Sequence, residues 1–187
     1  QRIENGYQIE DPDDWLRTGN PWEIPRPDFR IPVHFGGRVE MAQDGSRLKV
    51  RWVDTHPVIG IPYDTPIVGH GGKTVNTLRL WSARAAEEFQ LDDFNAGDYV
   101  AAVEYKVAAE NLTKVLYPND NIYAGRELRL KQQYFFVACS LHDILRRFRE
   151  DCSDWSKLPD HVAIQMNDTH PTLAVPELMR LLLDREG

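Results

Sequence analysis

The chain has 187 residues, enough for one domain or a domain and a half, and a chain of this size buries roughly 70% of its unfolded surface. The net charge of −7 argues against a nucleic-acid-binding surface, and no apolar run approaches the ~20 residues of a membrane span. Cys139 and Cys152 form no disulfide framework, so we expect a reducing compartment and a cytoplasmic location.

The ends of the sequence predict a piece of a longer protein. The chain starts at Gln1 without Met and stops at Glu186-Gly187, directly after a strongly helical run. We therefore expect one partial domain over residues 1–187, and this limits the activity expected of the chain alone.

The first part, residues 1–82, is predicted to contain mainly strands and turns. Asp11-Pro12-Asp13-Asp14 before Trp15 predicts a capped helical turn, and Gln43-Asp44-Gly45-Ser46 predicts a hairpin. Residues 48–53 alternate between apolar and polar, as a half-solvated antiparallel strand does. Further strands are predicted at residues 58–63 and 74–81.

The second part, residues 83–187, is predicted to be mainly helical. Residues 98–115 are rich in alanine and charge, which favours a surface helix. A second helix is expected from about 125 to 150, and one apolar face of it should be buried. That face contains Leu130, Tyr134, Val137, Leu141, Leu145 and Phe148. One buried strand at 162–166 and a last helix from Pro171 complete an α/β fold.

The polar turn after the predicted strand, Asn167-Asp168-Thr169-His170, has two readings. It can cap the last helix, because Asp168 or Thr169 can accept from its N–H groups and Pro171 suits its first position. It can also contact a ligand, because ligands gather where strands end and helices begin in open α/β sheets. A helix N-terminus also favours anions, so both roles are compatible.

Two other motifs do not indicate a functional site. The loop Gly69-His70-Gly71-Gly72-Lys73-Thr74 fails as a phosphate-binding P-loop, because position 67 is Ile67 and a strand follows the lysine. Asp54 with His56, and Asp168 with His170, offer metal-ligand types. Neither pair has i, i+4 helical spacing and there is no cluster of cysteines or histidines, so no metal is expected.

Two polar groups stay open on spacing alone. The loop Tyr117-Pro118-Asn119-Asp120-Asn121 is either a simple turn or a loop that hydrogen-bonds sugar hydroxyls. Arg146 and Arg147 either complement a helix end or hold a phosphate by forked hydrogen bonds. Arg26 and Arg79 are further phosphate candidates, although the sequence does not bring the four arginines together.

Beyond these local patterns, the sequence resembles the glycogen (α-glucan) phosphorylase family over its whole length. Long motifs occur in the family's order, and such a series is highly specific. The matching segments are Asp13-Asp14-Trp15-Leu16, Gly19-Asn20-Pro21-Trp22-Glu23, Pro62-Tyr63-Asp64-Thr65-Pro66, Asn76-Thr77-Leu78-Arg79-Leu80-Trp81-Ser82-Ala83, Val115-Leu116-Tyr117-Pro118-Asn119-Asp120-Asn121, Glu127-Leu128-Arg129-Leu130-Lys131-Gln132 and Val162-Ala163-Ile164-Gln165-Met166-Asn167-Asp168-Thr169-His170-Pro171.

The resemblance implies the central to late part of the N-terminal lobe of a two-lobed, Rossmann-like GT-B glycosyltransferase. Such an enzyme phosphorolyses α-1,4-glucans to glucose 1-phosphate with pyridoxal phosphate (PLP) as cofactor. The family's PLP lysine motif, E-A-S-G-x-x-N-M-K, does not occur here. We therefore expect no catalytic residue in this chain, no PLP bound to it, and no activity of the isolated polypeptide.

The resemblance also assigns roles to individual residues around the substrate. Asn121 matches an asparagine that contacts the glucosyl unit, and Asp120 matches its acidic neighbour on a gating loop. Asp168, His170 and Arg129 match residues beside the same cavity, so we expect them to support the substrate-contacting loop.

Regulatory and dimer contacts are implied as well. Arg146, Arg147, Arg79 and Arg26 fall where regulated animal members bind effector phosphate, and residues 98–111 match the tower helix of the family's homodimer. Ile122 replaces a phenylalanine on which purine-like inhibitors stack, and an aliphatic side chain offers no such surface. The choice among glycogen, starch and maltodextrin, and between AMP and glucose 6-phosphate, stays open. The alternative is a non-catalytic domain that binds carbohydrate or phosphate.

Overall fold

The computed structural model describes residues 2–9, 20–44, 47–87, 89–116 and 118–186. Its strands are β1 Arg2–Glu4, β2 Tyr7–Ile9, β3 Ile24–Pro25, β4 Ile31–Phe35, β5 Arg38–Asp44, β6 Arg47–Val53, β7 His56–Val68 and β8 Val75–Ala85. Its α-helices are α1 Leu91–Asn95, α2 Ala101–Lys114, α3 Tyr123–Asp151, α4 Leu158–His161 and α5 Ala174–Glu186. Short 3-10 turns lie at Pro27–Phe29, His70–Gly72, Trp155–Lys157 and His170–Leu173.

Strand β7 organises the main sheet. It pairs with β8 along the whole of β8, and with β3 and β4 on its other side. Two further hairpins, β1–β2 and β5–β6, form separate two-stranded sheets. All the strand pairs in the described ranges are antiparallel, so the expected α/β class with antiparallel strands in the first half is confirmed.

The hairpins show which turn signals were read correctly. The glycine loop after β7 closes the β7–β8 hairpin, with positive φ at Gly71 and Gly72, as the hairpin reading predicts. Pairing of β5 with β6 agrees with the hairpin signal at 43–46, whose Gly45 and Ser46 lie outside the described residues. The helical turn predicted at 11–15 also lies outside them.

Helix α3 forms the centre of the core. Its buried Phe135, Ala138 and Cys139 pack against the main sheet. A Cβ on Gly60 of β7 would lie 2.4 Å from the Sγ atom of Cys139, so only glycine lets this strand approach the helix so closely. A second apolar cluster joins α3 to α5, and its buried members are Leu141, Leu145, Ala174 and Leu181.

The two long predicted helices are present as α2 and α3, but the predicted buried face of α3 needs a correction. Leu141, Leu145 and Phe148 are buried, and Tyr134 and Val137 are half-buried. Leu130 is 56% exposed, so its predicted burial is wrong. Near the start of α3, the side that faces α2 is occupied by Gln132 and Gly125 instead.

The strand predicted at residues 162–166 is wrong. This segment has no regular secondary structure, and Ile164 and Met166 are 40% and 44% exposed. A strand needs a neighbour to satisfy its backbone groups, and no described strand pairs with this segment. The apolar run therefore marks neither a strand nor a buried segment here.

Candidate functional site

The loop after α2 is fastened to α3 through Asp120. The Arg129 guanidinium on α3 donates to the Asp120 carboxylate at 2.5 Å. The same helix face carries Arg126, whose Nε donates to the Asp120 carbonyl at 3.1 Å. A Cβ on Gly125 would lie 1.8 Å from the carbonyl oxygen of Asn119, so the first turn of α3 admits the loop only because position 125 is glycine.

The Arg129 side chain also reaches the polar turn before α5. Its Nη2 lies 3.0 Å from Nε2 of His170, and a guanidinium can only donate. The His170 Nε2 therefore accepts, which places the ring proton on Nδ1. That atom faces the Asp168 carboxylate at 3.8 Å. Asp120, Arg129, His170 and Asp168 thus form one connected polar array.

A cavity of about 160 Å³ opens beside this array. Its polar lining comes from Arg129, His170 and two glutamines of α3, and its apolar lining comes from α3, from Leu116 after α2 and from Pro171 after the polar turn. The residues that line it are Leu116, Arg129, Gln132, Gln133, Phe136, Val137, His170 and Pro171. Asp120 does not line this cavity itself, but it is paired with Arg129, which does.

Asn121 follows Asp120 on the same loop and is exposed. Its backbone N–H donates to Oδ1 of Asn119 at 2.9 Å, which closes a local turn. Ile122 is 67% exposed at the start of α3. The structure therefore brings together four of the residues expected near the substrate, Asp120, Arg129, His170 and Asp168, and Asn121 is the next residue after Asp120 on the loop.

The polar turn does not cap the last helix in the expected way. Asp168 has a positive φ of 69° and is exposed, and the turn from His170 to Leu173 is 3-10 rather than α-helical. The backbone carbonyl of Thr169 accepts from the N–H and hydroxyl of Thr172, at 3.2 and 2.6 Å. No side chain caps this turn, so the capping prediction for Asp168 or Thr169 is wrong.

A second site collects the four candidate arginines around Phe29. The guanidinium carbons of Arg26, Arg79 and Arg146 lie 5.3, 5.5 and 4.5 Å from the centre of that ring. Arg147 does not reach the ring but joins the group through an ion pair with Asp143, with Nε 3.0 Å from the carboxylate. We call this group, with its two carboxylates Asp64 and Asp143, the arginine cluster.

The carboxylates hold the arginine cluster in place. Arg79 lies directly opposite Asp64 across the β7–β8 pair and bonds it through two nitrogens, at 2.7 and 2.8 Å. Asp143 on α3, only 6% exposed, accepts from Arg79 and Arg146 and forms an ion pair with Arg147. Hydrogen bonds from Arg79 hold the pKa of Asp64 below its usual range, against the opposing effect of burial.

A third polar network joins the β5–β6 hairpin to α5. Glu177 is 5% exposed and accepts from Arg180 at 2.8 Å, while the Tyr134 hydroxyl lies 3.4 Å away. Arg180 also stacks over the Trp52 ring at 5.5 Å. Burial, reinforced by the negative charge of Glu177, raises the pKa of Tyr134 to about 12.

Sequence reasoning missed several partners of these sites. Gly125, Arg126 and Gln132 shape the Asp120 loop, and the i, i+3 and i, i+4 spacings of 125, 129 and 132 could have placed them on one helix face. Asp64 and Asp143 complete the arginine cluster. If Gly71 and Gly72 are placed at the centre of the hairpin turn, the antiparallel register puts Asp64 opposite Arg79.

The described residues contain neither a candidate metal site nor a candidate membrane-spanning helix. Among the described residues, no three His, Cys, Asp or Glu side chains are grouped so that they could hold a metal ion. Within the same ranges, no helix has both the length and the apolar character to cross a bilayer.

Comparison with known proteins covers the entire chain. Residues 1–187 match the model of a family described as carbohydrate phosphorylase. The chain is 56% identical over 194 aligned positions to the brain forms of glycogen phosphorylase from Homo sapiens and Mus musculus, and 55% identical to the liver form from Ovis aries. These alignments include all of this chain but only 22% of each of those proteins.

Proposed function

Because this chain belongs to the carbohydrate phosphorylase family, we propose that it forms one wall of the substrate cleft of an α-1,4-glucan phosphorylase. That enzyme is a hexosyltransferase with a GT-B fold. It transfers the terminal glucosyl unit of glycogen or maltodextrin to inorganic phosphate and releases glucose 1-phosphate. The free thiols of Cys139 and Cys152 suit a cytoplasmic enzyme.

The observation that carries this proposal is the polar array beside the cavity. Four side chains from three separate segments converge there, and the array fixes the loop that presents Asn121. Amide and carboxylate groups match sugar hydroxyls as donors and acceptors. Through its ion pair with Arg129, which lines the cavity, Asp120 can act as a charged gate for the anionic co-substrate.

The residues of this chain do not by themselves fit PLP. A PLP site requires a lysine for the Schiff base, and the cavity beside the polar array is lined by no lysine among the described residues. Lys131, on the same helix, pairs with Glu127 at 2.5 Å. We therefore assign PLP to another part of the longer protein and derive no step through it. In the cleft, this chain contributes substrate binding, orientation and the electrostatics of the gate.

The test uses the full-length protein. Asn121→Ala should lower kcat/KM for phosphorolysis of maltopentaose by about 10- to 100-fold, because a lost sugar contact removes transition-state binding. Asn76→Ala, on the exposed part of β8, is the matched control and should keep wild-type activity.

Two outcomes would contradict the proposal. One is a full-length protein that binds maltopentaose but forms no glucose 1-phosphate, which would support a non-catalytic carbohydrate-binding domain. The other is robust phosphorolysis by the 187-residue polypeptide alone, because we propose that it is inactive without the rest of the enzyme.

The arginine cluster is our proposed effector-phosphate site. Three arginines share one carboxylate, Asp143, so the cluster has more guanidinium donors than its acids can accept. Arg147 is half exposed and can turn toward a phosphate. In the full-length protein, Arg147→Gln should weaken AMP or glucose 6-phosphate binding about tenfold in calorimetry. Arg149→Gln, on the same helix but stacked on Trp155, should leave it unchanged.

We propose that the parent protein is a homodimer in contact through residues 98–111. Val100, Val103 and Val107 form an exposed apolar stripe at i, i+3 and i+7 along the start of α2. A charged side chain in this apolar stripe should oppose burial of the stripe against a partner subunit. Val107→Glu in the full-length protein should therefore shift sedimentation toward monomer, whereas Lys106→Glu beside it should not.

A further inference from the structure

The C-terminal end of α2 has no capping residue of its own. The helix ends at Lys114, and Val115 continues in an extended conformation with φ −131° and ψ 123°. The last carbonyls of any helix lack intrahelical partners. Here two carbonyls at the helix end, those of Leu112 and Val115, both accept from Nε2 of Gln132 on α3, at 2.8 and 2.9 Å.

Gln132 thus caps the end of α2 from a different helix and fixes its position. Gln132 is 5% exposed, and both N–H donors of its amide are used on the two carbonyls. It thereby fixes the residue at which α2 stops, which is also where the substrate loop begins. Five residues after Val115 the chain reaches Asp120.

The same face of α3 then holds the rest of the loop. Gly125 admits the Asn119 carbonyl, Arg126 binds the Asp120 carbonyl and Arg129 binds the Asp120 carboxylate. Gln132 fixes the start of the loop one turn further along the helix. Core packing of Leu112 and the bond from the Ala83 N–H to Thr113 Oγ1 also hold the end of α2, but Gln132 is the contact that binds its last carbonyls to α3.

We propose that Gln132 is a positioning residue for the substrate loop. It never touches the reacting atoms but sets where Asp120 and Asn121 lie, by fixing the end of α2. This inference rests on the proposed function for the role of the loop. The placement itself rests only on the described hydrogen bonds.

The main test compares three variants in the full-length holoenzyme. Gln132→Leu keeps the size but removes both donors, and Gln132→Glu places a carboxylate against two carbonyls. Both should lower kcat/KM for phosphorolysis by about 10- to 100-fold, because small misplacements of substrate-orienting groups have effects of that size. Ala138→Gly, in the core of the same helix, is the stability control and should retain activity well below its Tm.

A double-mutant cycle separates positioning from general destabilisation. If Gln132 acts through the loop, Gln132→Leu should add little to the loss already caused by Asn121→Ala. Fully multiplicative losses would overturn the proposal, and so would a loss of activity in Ala138→Gly as large as that in Gln132→Leu.

Amide hydrogen exchange supplies a readout that does not require activity. In Gln132→Leu, amides of residues 113–116 and 119–121 should exchange at least tenfold faster, while those of β7 and β8 stay at wild-type rates. Unchanged exchange in the loop, or equal acceleration everywhere, would overturn the positioning role. A wild-type protein without phosphorolysis would contradict the proposed function. The amide-exchange comparison would still show whether Gln132 positions the loop, because it does not depend on activity.

Discussion

At the scale of single residues, Asp64 shows how charge is balanced inside this chain. It is 8% exposed and meets Arg79 through two hydrogen bonds, with Arg26 and Arg147 adding attraction. A buried ion pair adds little over an apolar pair, but breaking one leaves an unpaired charge. The stability of the main sheet therefore depends on Asp64 staying ionised.

The first prediction concerns Asp64→Asn. It should lower the free energy of unfolding at pH 7 by about 3 kcal/mol, the usual cost of removing one partner of a buried pair. The folded-state pKa of Asp64 is lowered, so its contribution is present above the ordinary carboxyl pKa and is lost as pH falls through the lowered folded-state value. Urea unfolding should show the wild-type advantage fading below about pH 4. Asp92→Asn on exposed α1 is the control, and an equal loss there would refute this account.

The second prediction concerns the hydroxyl of Tyr134. Its folded-state pKa is raised from 10.0 to about 12, so the unfolded chain ionises first as pH rises. The associated stability is fully present below pH 10 and is lost between about pH 10 and 12. The stability difference between wild type and Tyr134→Phe should be constant below pH 10 and should decrease above it. A difference that stays constant up to pH 12 would contradict the prediction.

At the scale of elements, the close approach of β7 to α3 depends on one glycine. The third prediction is that Gly60→Ala destabilises the protein by about 2 kcal/mol, the typical cost of overpacking. The new Cβ would meet the Sγ atom of Cys139 at 2.4 Å, whereas its next contacts are at 3.5 Å. Cys139→Ala should therefore rescue much of the loss in the double mutant. Thermal unfolding measures both effects, and additive losses would rule out this contact as the cause.

Elements with a strong local signal were predictable from sequence. The alanine-rich α2, the heptad-like apolar spacing of α3 and the glycine loop of β7–β8 all have local physical causes. The Asn5-Gly6 hairpin of β1–β2 was equally readable, with φ of 52° and 81° at its two turn residues, but was missed. Residues 162–166 could not be judged in this way, because pairing depends on neighbours that periodicity does not reveal.

The candidate sites required distant contacts. Arg129 and His170 are far apart in sequence, and only the packing of α3 beside the polar turn brings them to 3.0 Å. The family resemblance named these residues without showing how they touch. Gln132 was quoted within a motif, but its role appears only when α2 and α3 are seen side by side.

At the scale of the whole molecule, the distal half of the β7–β8 hairpin exposes a broad apolar surface. Ile67, Leu78 and Leu80 share one face of the hairpin and are each between 48% and 51% exposed. Exposed apolar patches of this kind favour association with other protein surfaces. We therefore expect this surface to dominate the solution behaviour of the 187-residue chain.

The fourth prediction follows from that surface. The 187-residue chain should self-associate in sedimentation velocity as its concentration rises, because association removes apolar area from water. Leu78→Thr with Leu80→Thr should shift the distribution toward monomer while keeping β-propensity. Thr77→Ser, directly before Leu78, is the control. Monomer at all concentrations would show that this surface does not drive association.

The length of α3 has a mechanical consequence. Arg129, near its start, and Arg146, near its end, are about 25 Å apart at 1.5 Å per residue along one unbroken helix. If this helix tilts as a rigid body by about 5° around its middle, each of its ends moves by about 1 Å. A shift of that size in an orienting group can cost about a hundredfold in rate. The polar array and the arginine cluster therefore lie on the same rigid helix, so a tilt that displaces one of them also displaces the other.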